Sequence, residues 1–254
     1  MHLFYCPDIA TKSELPEEEA AHAVRVLRLA VGDEVMLTDG MGHFYRAAIA
    51  DATGKRCLVD VQETITPAPL WKGHIHLAIA PTKNMDRVEW LIEKATEIGI
   101  DEITLLDCRY SERRVVKTER LDKILVSAMK QSQKATKPVL NGMIPFDCFV
   151  RRPFDGQKFI AHCYSEEEVT AGKENENDRS QSYCATSFRT SLRDALVPCN
   201  NALVLVGPEG DFSVEEVRLA LSAGYRSVSL GNSRLRTETA ALVAVHLMNL
   251  AATI

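Results

Sequence analysis

The chain carries neither G-x-G-x-x-G nor G-x-x-x-x-G-K-[ST], so the two common phosphate-cradling loops are absent. It also lacks any C-x-x-C pair, and its seven cysteines are odd in number and scattered. That argues against a disulfide framework and against a zinc ribbon. His74 and His76 fall on one face of an expected strand, but no third ligand candidate is near them in sequence. They read as two strand-start histidines, and no metal site is expected. No apolar stretch approaches the length needed to span a bilayer, and the opening Met-His-Leu-Phe-Tyr-Cys-Pro-Asp has no basic region followed by an apolar core. A cytoplasmic protein with no membrane partner is the expectation.

An excess of positive charge is missing too. The net charge of −5 does not advertise a nucleic-acid-binding protein. Its distribution says more than its sum. Residues 165–182 hold six acids against two bases and so contribute −4, leaving the rest of the chain close to neutral. On that near-neutral body lie three local basic clusters: Arg25 with Arg28; Arg109, Arg113, Arg114 and Lys117; and Lys130, Lys134 and Lys137. A single cluster is usually a solvated face, but three together form a footprint that suits phosphates.

With 254 residues the chain has room for two domains. The first seventy residues read mostly as short strands around one helix. Pro16 followed by Glu17, Glu18 and Glu19 starts the helix, with Ala20, Val24, Leu27 and Val31 as its buried stripe and Gly32 as its end. His22, Arg25 and Arg28 share its opposite, polar side. Strands are expected over residues 34–38, 43–50 and 55–63, the first two forming a hairpin around Asp39-Gly-Met-Gly42. This is the pattern of a small β-barrel over residues 1–66. Pro67 and Pro69 mark a linker.

From His74 the pattern alternates between strand and helix, which implies a parallel sheet in an α/β domain over residues 73–254. Strands are expected over 74–80, 102–106 and 158–163. A helix over 85–98 turns Val88, Leu91, Ile92 and Ala95 inward. Thr118 caps another, with Leu121, Ile124, Leu125 and Ala128 toward the core. Residues 165–186 are polar and serine-rich and read as a flexible insertion before a helix near 187–196.

The most informative stretch lies near the C-terminus. Leu203–Val206 is a short apolar strand that stops at Gly207-Pro208-Glu209-Gly210-Asp211. Ser213 with Glu216 makes a capping box for the helix that runs to Gly224. Tyr225–Leu230 is the next strand, followed by Gly231-Asn-Ser-Arg-Leu-Arg-Thr-Glu-Thr and a helix over Ala240–Ala252. In an open parallel sheet, ligands sit outside the carboxyl ends of the strands. Both loops therefore fall at the ligand edge, joined by the strand-end segment Ala161-His-Cys-Tyr164. Gly207 and Gly210 let backbone approach a ligand, Pro208 stiffens the turn, and Leu230, Gly231 and Leu235 offer apolar wall and backbone bonds.

Gly-Pro-Glu-Gly after one strand and Leu-Gly…Leu-Arg-Thr-Glu-Thr-Ala after the next resembles the SPOUT methyltransferases, and among them the family that methylates N3 of a uridine in 16S ribosomal RNA. His22-Ala-Val-Arg-Val-Leu-Arg28, Arg87-Val-Glu-Trp-Leu-Ile-Glu-Lys-Ala-Thr-Glu-Ile-Gly99, Ser111-Glu-Arg113 and Gln131-Ser132 match that family's pattern in the same order. The resemblance implies a PUA-like RNA-binding barrel followed by an α/β domain with a C-terminal trefoil knot. It further implies S-adenosyl-L-methionine as cofactor, 16S ribosomal RNA in the small subunit as partner, and a homodimer. Carried residue by residue, it places the cofactor on Ala161, His162, Val206, Gly207, Pro208, Glu209, Gly210, Leu230, Gly231, Leu235, Arg236 and Thr237. RNA falls to His22, Arg25, Arg28, Arg109, Arg113 and Lys134. Arg236 is the expected stabiliser of a developing uracilate anion or its phosphate, because guanidinium keeps its charge and binds oxyanions bidentately. Glu209 or Glu238 is the expected carboxylate for deprotonation or for ordering the donor.

The chain departs from the family pattern at three positions. Asp211 stands where a third glycine is common, Arg234 where isoleucine is frequent, and Lys134 where arginine is usual. Two other readings follow from the same residues: a SPOUT enzyme acting on a ribose 2′-hydroxyl, and a silent ribosome-assembly factor that binds RNA through the barrel.

Overall fold

The computed structural model describes residues 2–53, 56–171 and 189–253. Contacts divide the chain into two units, residues 1–69 with 123–137 and residues 70–122 with 138–254. The first unit is a four-stranded sheet in the order β1 (Leu3–Tyr5), β2 (Glu34–Thr38), β3 (Phe44–Thr53), β4 (Arg56–Ile65). β1 and β2 are parallel; the other pairs are antiparallel, and Glu14 adds a bridge to Leu58. Phe4, Val35, Leu37, Ala47, Ile49 and Cys57 fill its core.

The basic helix is shorter than its sequence suggests. α1 (Glu17–Ala21) passes directly into a π-helical turn, His22–Val26, closed by the Leu27 N–H on the His22 carbonyl. Widening the turn to i→i+5 bonds shifts the phase of the apolar stripe. Ala20 and Ala23 are buried, whereas Val31 is 65% exposed. Arg28 lies beyond the helix in a left-handed conformation, φ 57°, so it is not on one helical face with His22 and Arg25.

The second unit is an α/β domain with a seven-stranded sheet. Its elements are β5 (Ile75–Ile79), α2 (Met85–Ile98), β6 (Glu102–Asp107), α3 (Thr118–Gln131), β7 (Val139–Pro145), α4 (Phe146–Val150), β8 (Gln157–Ala161), α5 (Glu166–Ala171), β9 (Thr190–Ser191), α6 (Leu192–Ala195), β10 (Ala202–Val206), α7 (Val214–Ser222), β11 (Arg226–Ser229) and α8 (Thr237–Thr253). From Lys123 onward, α3 clusters with the first unit.

Every strand pair in this sheet is parallel, in the order β7-β6-β5-β10-β8-β11-β9. The central strands β5 and β10 are buried along their whole length, as both faces of a helix-covered parallel sheet require. α2 turns Val88, Leu91, Ile92 and Ala95 inward and ends at Gly99, φ 124°, where a Cβ would strike the Trp71 ring. α7 carries the expected capping box: Glu216 N–H donates to Ser213 Oγ at 3.2 Å, and Ser213 N–H donates to Glu216 Oε2 at 2.8 Å.

Other elements also differ from the sequence expectation. Where a helix was expected near 187–196, β9 (Thr190–Ser191) is followed by the four-residue α6 (Leu192–Ala195). α8 begins at Thr237 rather than Ala240, with the Ala240 N–H already bonded to the Arg236 carbonyl. The start of the polar insertion is helical: α5 is entered through reciprocal bonds between Ser165 and Glu168, Val169 is buried, and Arg218 donates to the carbonyls of Val169 and Thr170. The remainder of that insertion, from residue 172 to 186, lies outside the described residues. No helix among the described residues is long and apolar enough to cross a membrane.

Candidate active site

The register brings the expected strand ends level with one another. Val206 pairs with Ile79 on one side and Ala161 on the other, and Ala161 pairs in turn with Val228. The segments that leave β8, β10 and β11 therefore emerge side by side at the carboxyl edge, with the segment after β5 beside that of β10.

Short-range contacts tie these segments together. Asp211 accepts from Cys163 N–H at 2.8 Å through one carboxylate oxygen and from Phe212 N–H at 2.7 Å through the other. Tyr164 Oη donates to the Phe212 carbonyl at 2.8 Å. Asp211 has φ 67°, a left-handed conformation natural to glycine and tolerated by aspartate. This accounts for the departure from a third glycine: the aspartate keeps the backbone shape and adds a carboxylate that fastens the β8 and β10 segments. Gly207 is needed for space, since a Cβ there would come within 3.0 Å of Phe212 N. Gly231 is needed for conformation, at φ 126° with open space around it.

His162 lies buried at the end of β8 with Nε2 2.8 Å from Ser227 Oγ, while its Nδ1 has no partner among the described residues. Burial pushes its pKa down to about 3, so the ring is neutral at physiological pH. A neutral ring with one unsatisfied buried nitrogen suits a polar ligand at this edge.

Glu209, expected as a candidate carboxylate for the chemistry, instead holds backbone. Its Oε1 accepts from Lys83 N–H at 2.9 Å, holding the segment after β5. The Lys83 carbonyl accepts from Arg113 Nη2 at 2.6 Å. Arg113 thus fixes backbone. Arg109 is exposed, bonding Glu215 at 3.0 Å through its side chain and Glu216 at 2.8 Å through its backbone N–H.

Lys134, expected on RNA, is only 8% exposed. The left-handed Gln133, φ 52°, turns the chain so that Lys134 N–H returns to the Met129 carbonyl. In the first unit His22 and Arg25 are exposed, and Lys130 pairs with buried Glu19 at 2.5 Å.

Arg236 and Glu238 meet residues that the sequence did not assign. A cleft of about 610 Å³ is lined by Asp86, Arg87 and Trp90 of α2 together with Arg234, Leu235, Arg236, Glu238 and Thr239. Glu238 is 7% exposed; its Oε1 lies 3.6 Å from Arg87 Nε, and its Oε2 has no hydrogen-bond partner among the described residues. Arg236 is exposed at the mouth of α8. Trp90, 43% exposed, offers an aromatic face beside these charges. The signal for Trp90 and Arg87 was available: both fall off the Val88, Leu91, Ile92, Ala95 stripe of a well-defined helix, which leaves a large aromatic residue facing outward. Three arginines against two carboxylates make the cleft suited to an anionic ligand.

Known proteins resemble this chain along nearly its whole length. Residues 69–249 match the model of an RNA methyltransferase domain, and residues 15–62 match an RNA methyltransferase PUA domain. The ribosomal RNA small subunit methyltransferase E of Rickettsia conorii is 30% identical, over 92% of this chain and 88% of its own. The crystal structure of a probable rRNA-methyltransferase from Porphyromonas gingivalis superposes with a TM-score of 0.86 at 42% identity, covering 99% of this chain and 98% of that one. A ribosomal RNA small subunit methyltransferase E from Neisseria gonorrhoeae, solved bound to S-adenosyl methionine, gives a TM-score of 0.81 at 25% identity, covering 98% and 97%. The chain belongs to the RNA methyltransferase family, as a PUA-containing relative of the small-subunit ribosomal RNA methyltransferases E.

Proposed function

We propose that this protein is an S-adenosylmethionine-dependent enzyme that methylates N3 of a uridine in the 16S RNA of the small ribosomal subunit, acting in the cytoplasm as a homodimer. The observation that carries the reading is the convergence of three strand-end segments, after β8, β10 and β11, on an edge that adjoins the cleft of Arg236 and Glu238. The same three segments are where a trefoil crossing belongs in this fold. The six described cysteines are all free, which agrees with a reducing compartment. Half-buried Leu242, Val243 and Leu247, with exposed Leu250, give α8 an apolar side that suits a second copy.

The residues present fit the cofactor. Gly207 and Gly231 leave backbone close to the edge without a Cβ, and the unpartnered Nδ1 of buried His162 waits for a polar group. When bound, S-adenosylmethionine supplies an electrophilic methyl on a sulfonium. Gly207, Pro208, Gly210, Leu230, Gly231, Leu235, Ala161 and His162 are the residues that would hold it. Glu209 acts as a positioning residue by holding Lys83 N–H.

Uracil N3 must lose its imide proton to become a nucleophile. Arg236, exposed at the cleft, stabilises the resulting negative charge on the base. Glu238 stands beside it with one unsatisfied oxygen, placed to accept that proton or to orient Arg87. Holding donor and base in line supplies much of the rate by orientation, once the base is out of its stack.

The test is transfer of labelled methyl from S-adenosylmethionine to purified small subunits lacking the modification, followed by digestion and identification of the labelled nucleoside. Label in 3-methyluridine supports the reading. Label in a 2′-O-methyl nucleoside, or S-adenosylmethionine binding with no transfer, overturns it.

A further inference from the structure

β5 is buried along its length, and one of its five residues is a histidine. His76 pairs in register with Glu102 of β6, so the two side chains share one face of the sheet. His74 lies two residues earlier and reaches the same carboxylate. The sequence offered no third ligand near the two histidines; the parallel register supplies one from a position twenty-six residues on.

We propose that His74, His76 and Glu102 form a binding site for a divalent transition-metal ion of the zinc class, at the amino-terminal edge of the sheet and apart from the methyl-transfer edge. His74 Nε2 lies 2.9 Å and His76 Nδ1 3.6 Å from the same oxygen, Glu102 Oε2, and the ligand atoms of the three residues all fall within 4.8 Å of one another. A tetrahedral ion with bonds of about 2.0–2.1 Å separates its ligands by about 3.3 Å, and the two measured spacings bracket that value. Two imidazoles with one carboxylate suit zinc, cobalt or nickel; magnesium and calcium want mostly oxygen.

The surroundings hold these groups as metal ligands are held. The far nitrogen of His76, Nε2, is 2.9 Å from Thr104 Oγ1, leaving Nδ1 for the ion. Asn141 Nδ2 donates to the other Glu102 oxygen, Oε1, at 2.6 Å and to Thr104 Oγ1 at 2.9 Å. Phe149 packs edge-on against the His76 ring at 5.6 Å and fixes its plane. His74 and Glu102 are partly exposed, with side chains 40% and 26% accessible, so water can complete the coordination. Such an ion ties the start of β5 to the start of β6 and stabilises the domain by mass action.

The experiment uses the full chain freed of metal by a chelator. Zinc is titrated by calorimetry and thermal shift, and cobalt by its visible d–d absorption, which reports tetrahedral geometry. One ion per chain with a raised Tm and tetrahedral cobalt bands is expected. His74→Ala, at a partly exposed position that leaves the core intact, weakens binding at least about tenfold. Glu102→Gln, which keeps the side-chain shape, does the same. His246→Ala, outside the cluster, binds as wild type does. Absence of stoichiometric binding, or unchanged binding in both His74→Ala and Glu102→Gln, overturns the site. Neither outcome bears on methyl transfer, which is measured separately.

Discussion

Replacing Gly231 with alanine isolates the conformational demand of one cofactor segment. Gly231 has φ 126°, and a Cβ built there meets nothing within 4 Å, so the substitution introduces strain without a clash. An L-residue held in that region costs about 1 to 3 kcal/mol. Gly32, in the first unit, has φ 94° and open space as well, and its alanine variant serves as the matched control. Both variants lose about the same stability, read from the urea midpoint. Only at Gly231 does relaxation of the strain move the backbone proposed to line the cofactor. If about 1.4 kcal/mol of strain is relieved by leaving the bound shape, the competent fraction, and with it the affinity for S-adenosylmethionine, falls about tenfold. Calorimetry with S-adenosylmethionine checks this. Loss of stability in Gly231→Ala with undiminished cofactor affinity would refute the reasoning, as would an equal loss of affinity in Gly32→Ala.

Further predictions concern the cleft, the buried histidine and the helix cap. Arg236→Ala lowers methyl transfer at least about 100-fold, the scale of a lost anion-stabilising donor, while S-adenosylmethionine binding stays measurable; near-normal turnover removes Arg236 from the chemistry. His162 has a folded-state pKa of about 3, below its unfolded value of about 6.5, so the stability it contributes is present above pH 6.5 and is lost as pH falls toward 3. Between pH 7 and pH 5 that loss amounts to about 2 kcal/mol, and His162→Leu removes it; an unchanged pH slope in urea denaturation contradicts a buried neutral ring. Ser213→Ala breaks the capping box of α7 and lowers stability by about 1 kcal/mol, seen as a shifted urea midpoint at constant m. A change below a few tenths of a kcal/mol would mean that water replaces the cap without cost.

The elements that were legible in the sequence are those where one signal dominates. β10 is five apolar residues stopped by Gly207-Pro208, and it is buried along its length as such a run must be. α2 matched to the residue because its helical stripe stops at Gly99; in the structure the Asn84 side chain caps its start. α7 declared itself through Ser213 and Glu216. β7 was missed because an edge strand, half-exposed along much of its length, shows no alternation; β9 has only two residues. The stripe assigned to α1 ran too far because a π-helical turn follows no α-helical periodicity, and the exposed Val31 is its consequence.

The candidate site divides in the same way. Its glycine-bearing segments are local features, and their positions could be read. Arg87 and Trp90 join Arg236 and Glu238 only because α2 packs against α8 across some 150 residues of chain, a contact no local pattern encodes. Lys134 looked like a surface cation until the turn at Gln133 placed it in the interior. Glu102 became a neighbour of His74 and His76 through sheet register alone.

The central claim is tested most directly by mapping methylated bases in 16S RNA from small subunits incubated with this protein and S-adenosylmethionine, against subunits incubated without it. N3 methylation blocks Watson–Crick pairing, so the account predicts a new reverse-transcription stop at one uridine, present only when protein and cofactor are combined and absent with Arg236→Ala. Unchanged stops, together with new protection of a single linkage from alkaline cleavage, would contradict it and place the methyl on a ribose instead.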